Sequence, residues 1–389
     1  GPVQSFIDQA RKTQDMFAGS GLITHLRRKA MAYLKTAFTN SIDFITPFNI
    51  DQIEEVLEEE DLRKLQHLNK LECILSTDQE INQIGKALKE SCEKEFLRLA
   101  EVFLTPNEFP KHKTQISNFI ECAFAANEII DDNYKQAYHE QQELITAIKQ
   151  SRQLNQYHQG ENGKKCSVDK THSIQVYRLK SGEASAKAAQ KLYRKEEDIT
   201  ILNNTENVWV IEPGEGLSAI TFVKRKFLNK AHTYPSTAKL AAYNFFANEE
   251  IKQTPAFKAF QSIVNELDHS NDQLFFKENL NIDYFTKHEL FGVNAREAKL
   301  QELVEHFKAI AKKANASSLF SNSYYGVIKF DGDNSNKMLS GIWLQDDSQF
   351  LSFHKAYSEA QYHFVKALMD FIQPPIGKVV YSGEDFLIF

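Results

Sequence analysis

Tyr324-Tyr-Gly-Val-Ile-Lys-Phe330 runs directly into Asp331-Gly-Asp-Asn334, and Gly377-Lys-Val-Val-Tyr381 runs into Ser382-Gly-Glu-Asp385 before returning as Phe386-Leu-Ile-Phe389. Runs of β-branched and aromatic residues that stop at Gly, Asp, Asn and Ser predict strands, the first of the buried type and the last two a hairpin. Between them, Ser352 to Ile372 predicts a helix with Phe353, Ala356, Ala360, Phe364 and Leu368 on one face. A strand, a helix and a hairpin in this order put Asp331 at the end of one strand, with Glu384 and Asp385 at a bend beside it.

Three carboxylates gathered at strand ends form a hard-oxygen donor set suited to Mg2+ or Mn2+. Metals held in this way bridge a triphosphate, activate an attacking ribose hydroxyl and neutralise charge on the phosphoryl oxygens. Gly383 lets the backbone approach a phosphate that a side chain would block. Each half alone has a plainer reading: Asp-Gly-Asp-Asn is ordinary turn chemistry, and Ser-Gly-Glu-Asp is an ordinary hairpin bend. A calcium EF-hand is excluded, because Asn336 stands where glycine is required and Ile342 where the bidentate glutamate belongs. The two halves together point to nucleotidyl transfer of the kind carried out on palm-type domains.

A chain of 389 residues is too long for one small core and predicts two or three domains. Its net charge of −6 rules out a chain that is basic throughout, so any RNA or nucleotide must be held by local patches or by partners. The 29 Phe imply a large buried area rather than disorder. Four cysteines, Cys73, Cys92, Cys122 and Cys166, lie far apart with no Cys-x-x-Cys, which reads as reduced, cytoplasmic protein. No apolar run approaches the length of a membrane span and no signal peptide is present, so no membrane association is expected.

From the N-terminus, Val3 to about Ala37 predicts a helix, Asp43–Pro47 a short strand, Asp51 to Leu65 an acidic helix and Lys70–Leu75 a second strand. Thr77 and Glu80 have capping-box spacing ahead of a helix with Ile81, Ile84, Leu88, Cys92, Phe96, Leu99 and Phe103 on one face. Helix, strand, helix, strand, helix is most of a ferredoxin-like unit whose opening strand would precede Gly1. The stretch 106–152 reads as helical, and Gly160–Lys165 as a linker. Short strands are expected at Ile174–Leu179, Val208–Ile211 and Ala219–Val223, then helices from Pro235, ending in one from about Arg296 to Ala314. The basic runs Lys164-Lys165, Arg194-Lys195 and Lys224-Arg225-Lys226 are either RNA-facing or solvated surface.

Gly1-Pro-Val-Gln-Ser-Phe-Ile-Asp-Gln-Ala-Arg-Lys12, with Phe17-Ala-Gly-Ser20, is similar to the opening motif of the large subunit of type III CRISPR effector complexes, in particular the Cmr (III-B) branch. Further similarities follow in order: Leu68-Asn-Lys-Leu71, the neighbourhood of Lys165-Cys-Ser, Val223-Lys-Arg225, Tyr234-Pro-Ser-Thr237, Phe330-Asp-Gly-Asp-Asn334 with Ser340-Gly341, and Val380-Tyr-Ser-Gly-Glu-Asp385. The resemblance implies an α+β fold with two ferredoxin-like palm (cyclase-type) domains, separated by a largely helical insertion that carries a small degenerate zinc-ribbon-like lobe. Residues 1–104 would be the first palm without its leading strand. Residues 105–318 would be the insertion, with the lobe around 160–230, and 319–389 the catalytic palm, incomplete at its C-terminus. The polypeptide is therefore expected to extend past one or both ends, or to be completed by another chain.

The function implied by this resemblance is a subunit of an RNA-guided antiviral ribonucleoprotein. Its second palm makes a nucleotide second messenger from ATP, either a cyclic oligoadenylate or a conjugate with S-adenosylmethionine, when target RNA binds. Asp331, Glu384 and Asp385 would hold Mg2+ or Mn2+ and carry the catalysis. Gly1, Gln4, Ser5, Asp333, Asn334, Ser382, Gly383 and Lys378 would line the nucleotide site, a plain helix cap being the alternative for the first three. Guide RNA, target RNA and the other subunits are the implied partners. Relatives use a Gly-Gly-Asp-Asp turn where this chain has Ser382-Gly-Glu-Asp385, and two Cys-x-x-Cys pairs where it has Cys166-Ser-Val-Asp169 and Ser218-Ala-Ile-Thr221. One thiolate cannot close a zinc site, so no structural zinc is expected. With no His-Asp dipeptide in the sequence, no HD nuclease is expected either. The competing readings are a catalytically silent scaffold subunit of the same particle and, disfavoured by the long insertion, a diguanylate cyclase.

Overall fold

The computed structural model describes residues 3–47, 70–117, 119–151, 161–203, 210–227, 234–243, 248–267, 271–313, 324–382 and 385–388. The acidic helix expected at 51–65 lies outside these residues. Two helices, Val3–Asp8 (α1) and Thr13–Ala37 (α2), replace the single one expected. The break is fixed by Asp15, whose carboxylate accepts hydrogen bonds from the backbone N–H groups of Arg11 (2.9 Å) and Lys12 (3.1 Å) and so satisfies donors at the start of α2. The hairpin of Ile42–Thr46 (β1) and Glu72–Leu75 (β2) is antiparallel, with Ile42 opposite Leu75 and Phe44 opposite Cys73.

Ile81–Leu104 (α3) buries Cys92, Phe96, Leu99 and Leu104 against Leu22 and Leu26 of α2. Full burial of side chains of this size stabilises by roughly 1.5–3 kcal/mol each. Its cap is simpler than the sequence spacing implies: Glu80 is the N-cap without a side-chain bond, and Thr77 Oγ1 accepts from Gln79 N at 3.1 Å. Phe109–Ser117 (α4) follows, then an extended stretch over 119–130 where a helix was expected, and Tyr134–Gln150 (α5), capped by Asn133.

The next lobe holds a three-stranded sheet of Val176–Arg178 (β3), Thr200–Leu202 (β4) and Gly216–Leu217 (β5), in the order β4-β3-β5, with Ser185–Lys191 (α6) between β3 and β4. Residues 219–223, expected as a strand, form part of a helix, Ala219–Lys226 (α7). Ser218 caps it by accepting from Thr221 N at 3.1 Å. Every residue of α7 from Ala219 to Arg225 is buried, so no polar face marks the helical period and its apolar run resembles a strand. The core is continuous here, since Phe6, Leu22, Phe96 and Leu99 share one cluster with Cys166, Val176, Val210 and Phe222.

Thr237–Ala241 (α8), Glu249–Lys252 (α9), Pro255–Asn265 (α10), Ile282–Lys287 (α11) and Arg296–Lys313 (α12) come next. Phe257, Phe260, Phe275, Phe285, Leu303 and Phe307 build a core of their own among these helices. The C-terminal part consists of Ile328–Asp331 (β6), Ser335–Leu339 (α13), Phe350–Phe371 (α14), Val379–Ser382 (β7) and Asp385–Ile388 (β8), in one antiparallel sheet ordered β6-β8-β7.

Two further expectations are corrected. The 324–330 strand is not of the buried type: Tyr324, Val327 and Ile328 are exposed, because β6 lies at the sheet edge. The buried face of α14 is Phe350, His354, Ser358 and Val365, not the stripe through Phe353 and Phe364, because α14 packs on the aromatic side chains of α5. No described helix is long and apolar enough to cross a membrane.

Candidate functional site

β6 ends at Asp331, and the β6–β8 register sets Asp331 directly opposite Asp385, with Phe330 opposite Phe386. Residues directly opposite on an antiparallel pair have β-carbons about 4.5–5.5 Å apart, and like charges at such positions are destabilising unless something offsets them. The turn after β6 is tight. Asn334 adopts φ 61°, in the left-handed region that Asn tolerates, and stands at the N-cap of α13. Ser335 Oγ donates to the Gly332 carbonyl at 2.9 Å. Asp331, Asp333 and Asn334 are all exposed. Gly1, Gly383 and Glu384 lie outside the described residues, and Gln4 is placed only as part of α1.

Ser382 is buried at the end of β7, while Ser5 is exposed on α1 and accepts from Gln9 Nε2 at 3.5 Å. The two ends of the chain meet, with Val380, Tyr381 and Leu387 of the hairpin packed among Ile7, Phe17 and Ala18 of the first helices and Tyr234. Ser5 and Ser382 accordingly line one cavity of about 1890 Å3, together with Arg27, Asn336 and Tyr381. Burial and the adjacent Arg28 push Arg27 down to about 9, which leaves it charged at neutral pH. Asp331 is not a lining residue of this cavity. Lys378 points elsewhere: its ammonium lies 5.4 Å from the Tyr234 ring centroid.

Sequence reasoning missed the support of the carboxylate turn. His354 Nε2 lies 2.8 Å from the carbonyl of Leu339, at the end of α13, and its Nδ1 lies 2.9 Å from the Tyr134 hydroxyl. A carbonyl only accepts, so Nε2 carries the proton and Nδ1 accepts from Tyr134. The available signal was His354 beside the aromatic Phe350 and Phe353 in the first turns of α14.

The Lys224-Arg225 pair does not face RNA, since both side chains are about 1% exposed. Lys224 Nζ donates to the carbonyls of Phe6 (2.5 Å), Ile7 (3.4 Å) and Gln9 (3.0 Å), which closes the C-terminal end of α1. Burial pushes this ammonium down to about 8. Arg225 bonds Asp15 at 2.6 and 3.1 Å and Glu215 at 2.9 Å, and its guanidinium holds Asp15 below the usual carboxylate range against the burial that would raise it.

The four positions at which the family resemblance implies thiolates, Cys166, Asp169, Ser218 and Thr221, also converge. Asp169 Oδ2 accepts from the Ser218 hydroxyl and from Thr221 Oγ1 (3.1 Å), while Oδ1 accepts from the N–H groups of Thr171 (3.1 Å) and His172 (2.9 Å). Cys166 Sγ accepts from Val168 N at 3.4 Å and lies 3.7 Å from Thr221 Oγ1. Burial would raise Asp169, but these bonds outweigh it and hold the carboxyl at about 2. With its oxygens committed to protein donors, Asp169 does not fit a zinc ligand. Among the described residues, no group of three or more His, Cys, Asp and Glu is arranged to hold a metal.

Residues 1–146 match the family model described as CRISPR-associated protein Cmr2, N-terminal. A chain in the cryo-EM structure of the Type III-B Cmr-beta bound to cognate target RNA superposes with a TM-score of 0.56 at 14% identity, covering 99% of this chain and 59% of that one. A chain of the apo-state Cmr-beta gives 0.51 at 13%, covering 99% and 58%. This chain thus spans somewhat under three fifths of the length of those it matches. No curated protein matches its sequence.

Proposed function

We propose that this Cmr2-like chain is the large subunit of a type III CRISPR ribonucleoprotein, that it works with guide RNA, target RNA and the other subunits, and that its C-terminal sheet is a nucleotidyl cyclase or transferase site acting on ATP. The reading rests on one observation: the register that pairs Asp331 with Asp385 at the open end of β6 and β8. Asp331 and Asp385, with Glu384 preceding Asp385 in the sequence, are a donor set of hard oxygens, which suits Mg2+ or Mn2+. Bound there, such an ion would polarise a phosphoryl group and lower the pKa of a ribose hydroxyl.

The chain's own residues supply the rest. The Tyr134–His354–Leu339 links hold the end of α13 and with it the turn bearing Asp333 and Asn334. Ser382, where relatives have glycine, offers a hydroxyl beside Gly383 for a phosphate. Arg27 places a buried positive charge in the cavity that Ser5 and Ser382 line, which favours an anionic ligand.

The test is to incubate the assembled complex with target RNA, labelled ATP and Mn2+, with and without S-adenosylmethionine, and to resolve products by mass. Product should form in the wild type and vanish in Asp331→Ala and Asp385→Ala while assembly persists. Product persisting in both variants would refute the site. A wild type silent under all conditions would favour a scaffold role.

A further inference from the structure

The extended segment after α4 runs antiparallel along α3. Phe119 meets Phe96, with ring centroids 5.5 Å apart, and Phe124 covers Gly85 so closely that a β-carbon there would come within 2.3 Å of its ring. Cys122 lies between these contacts on the segment, and Cys92 lies between them on α3. Cys92 Sγ donates to the Leu26 carbonyl at 3.7 Å, and across this seam the two thiols are close enough to perturb one another's titration. Both cysteines line the large cavity, so small molecules in that space can reach them.

We propose that Cys92 and Cys122 are a redox-active dithiol that closes to a disulfide when a small-molecule disulfide enters the cavity, pinning residues 119–130 to α3 and fixing one wall of the space that Ser5 and Ser382 line. The adjacent Cys92 thiol holds Cys122 below its ordinary value, while Cys122 and burial raise Cys92, so Cys122 is the attacking sulfur. Its thiolate displaces one thiolate from the reagent, leaving a mixed disulfide. Cys92 then releases its proton to solvent and attacks the Cys122 sulfur, forming the Cys92–Cys122 bond and expelling the second thiolate. The protein pair is oxidised by two electrons, and the reagent is reduced to two thiols.

The other two cysteines are unsuited to this chemistry. Burial, with Glu72 and Asp43 nearby, pushes Cys73 up to about 11. Cys166 is 2% exposed and engaged with Val168 and Thr221.

The experiment treats the full chain with glutathione disulfide, alkylates it under denaturing conditions and maps peptides by mass, with Cys122→Ala alongside. Of the four thiols, two should become unreactive in the wild type through a linked 92–122 peptide pair, and all three remaining thiols of Cys122→Ala, at Cys73, Cys92 and Cys166, should stay alkylatable. Hydrogen exchange over 119–130 should slow about tenfold on oxidation of the wild type only. Four alkylatable thiols after treatment, or glutathione left on Cys122 with Cys92 still reactive, would overturn the dithiol. A linked pair without slower exchange would overturn the pinning.

Discussion

Asp169, itself buried with Ser218 and Thr221, collects hydrogen bonds from them and from Thr171 and His172, so removing its carboxylate strands several donors at once. Asp169→Ala should lower stability by on the order of 3 kcal/mol in thermal unfolding. Excess EDTA should leave the wild-type melting temperature unchanged and elemental analysis should find no stoichiometric zinc, a result that ligand zinc would reverse. His112 makes a second test at this scale. Burial pushes it down to about 4, with Gln175 and Thr200 on its two nitrogens at 3.1 and 2.7 Å. Its folded pKa lies below the unfolded value of about 6.5, so the unfolded chain binds the proton first. The contribution is therefore complete above about pH 6.5 and is lost as pH falls toward 4, up to about 3 kcal/mol. Denaturant unfolding of His112→Gln across that window should show a shallower pH slope than the wild type.

Elements were legible where a single face is buried. The stripe of α3 is plain in the sequence because period and burial coincide, while β7, buried at all four positions, is legible from its β-branched and aromatic run between turn residues. α7 was misread because it is buried all round, and α14 was read in the wrong phase because its docking face includes His354 and Ser358, which carry no apolar signal. α7 also acts as a clamp: Lys224 closes α1, and Arg225 joins α2 to the loop before β5 through Asp15 and Glu215. Arg225→Met leaves buried Asp15 without its cation and Glu215 with only the half-exposed Arg11 at 3.4 Å, and should cost about 3–5 kcal/mol. Adding Asp15→Asn should recover part of that loss. A double-mutant cycle by chemical denaturation measures the coupling, and additive losses would show that the clamp is not one unit.

At the scale of the whole molecule, the opening motif of the sequence falls within residues 1–146, which match the Cmr2 N-terminal model. What no periodicity encodes is the meeting of the chain's ends, where Tyr381 and Leu387 pack with Ile7 and Phe17, since that contact is set by tertiary packing alone. The same packing brings Ser5 and Ser382 to one cavity, although the register leaves Asp331 outside its lining. The functional reading depends on acidic residues of adjacent strands sharing a divalent cation. Mn2+ binding to the full chain in the presence of ATP, followed by electron paramagnetic resonance, tests that claim directly. Saturable binding in the wild type that weakens at least tenfold in both Asp331→Ala and Asp385→Ala is expected, and equal binding in all three proteins would contradict it.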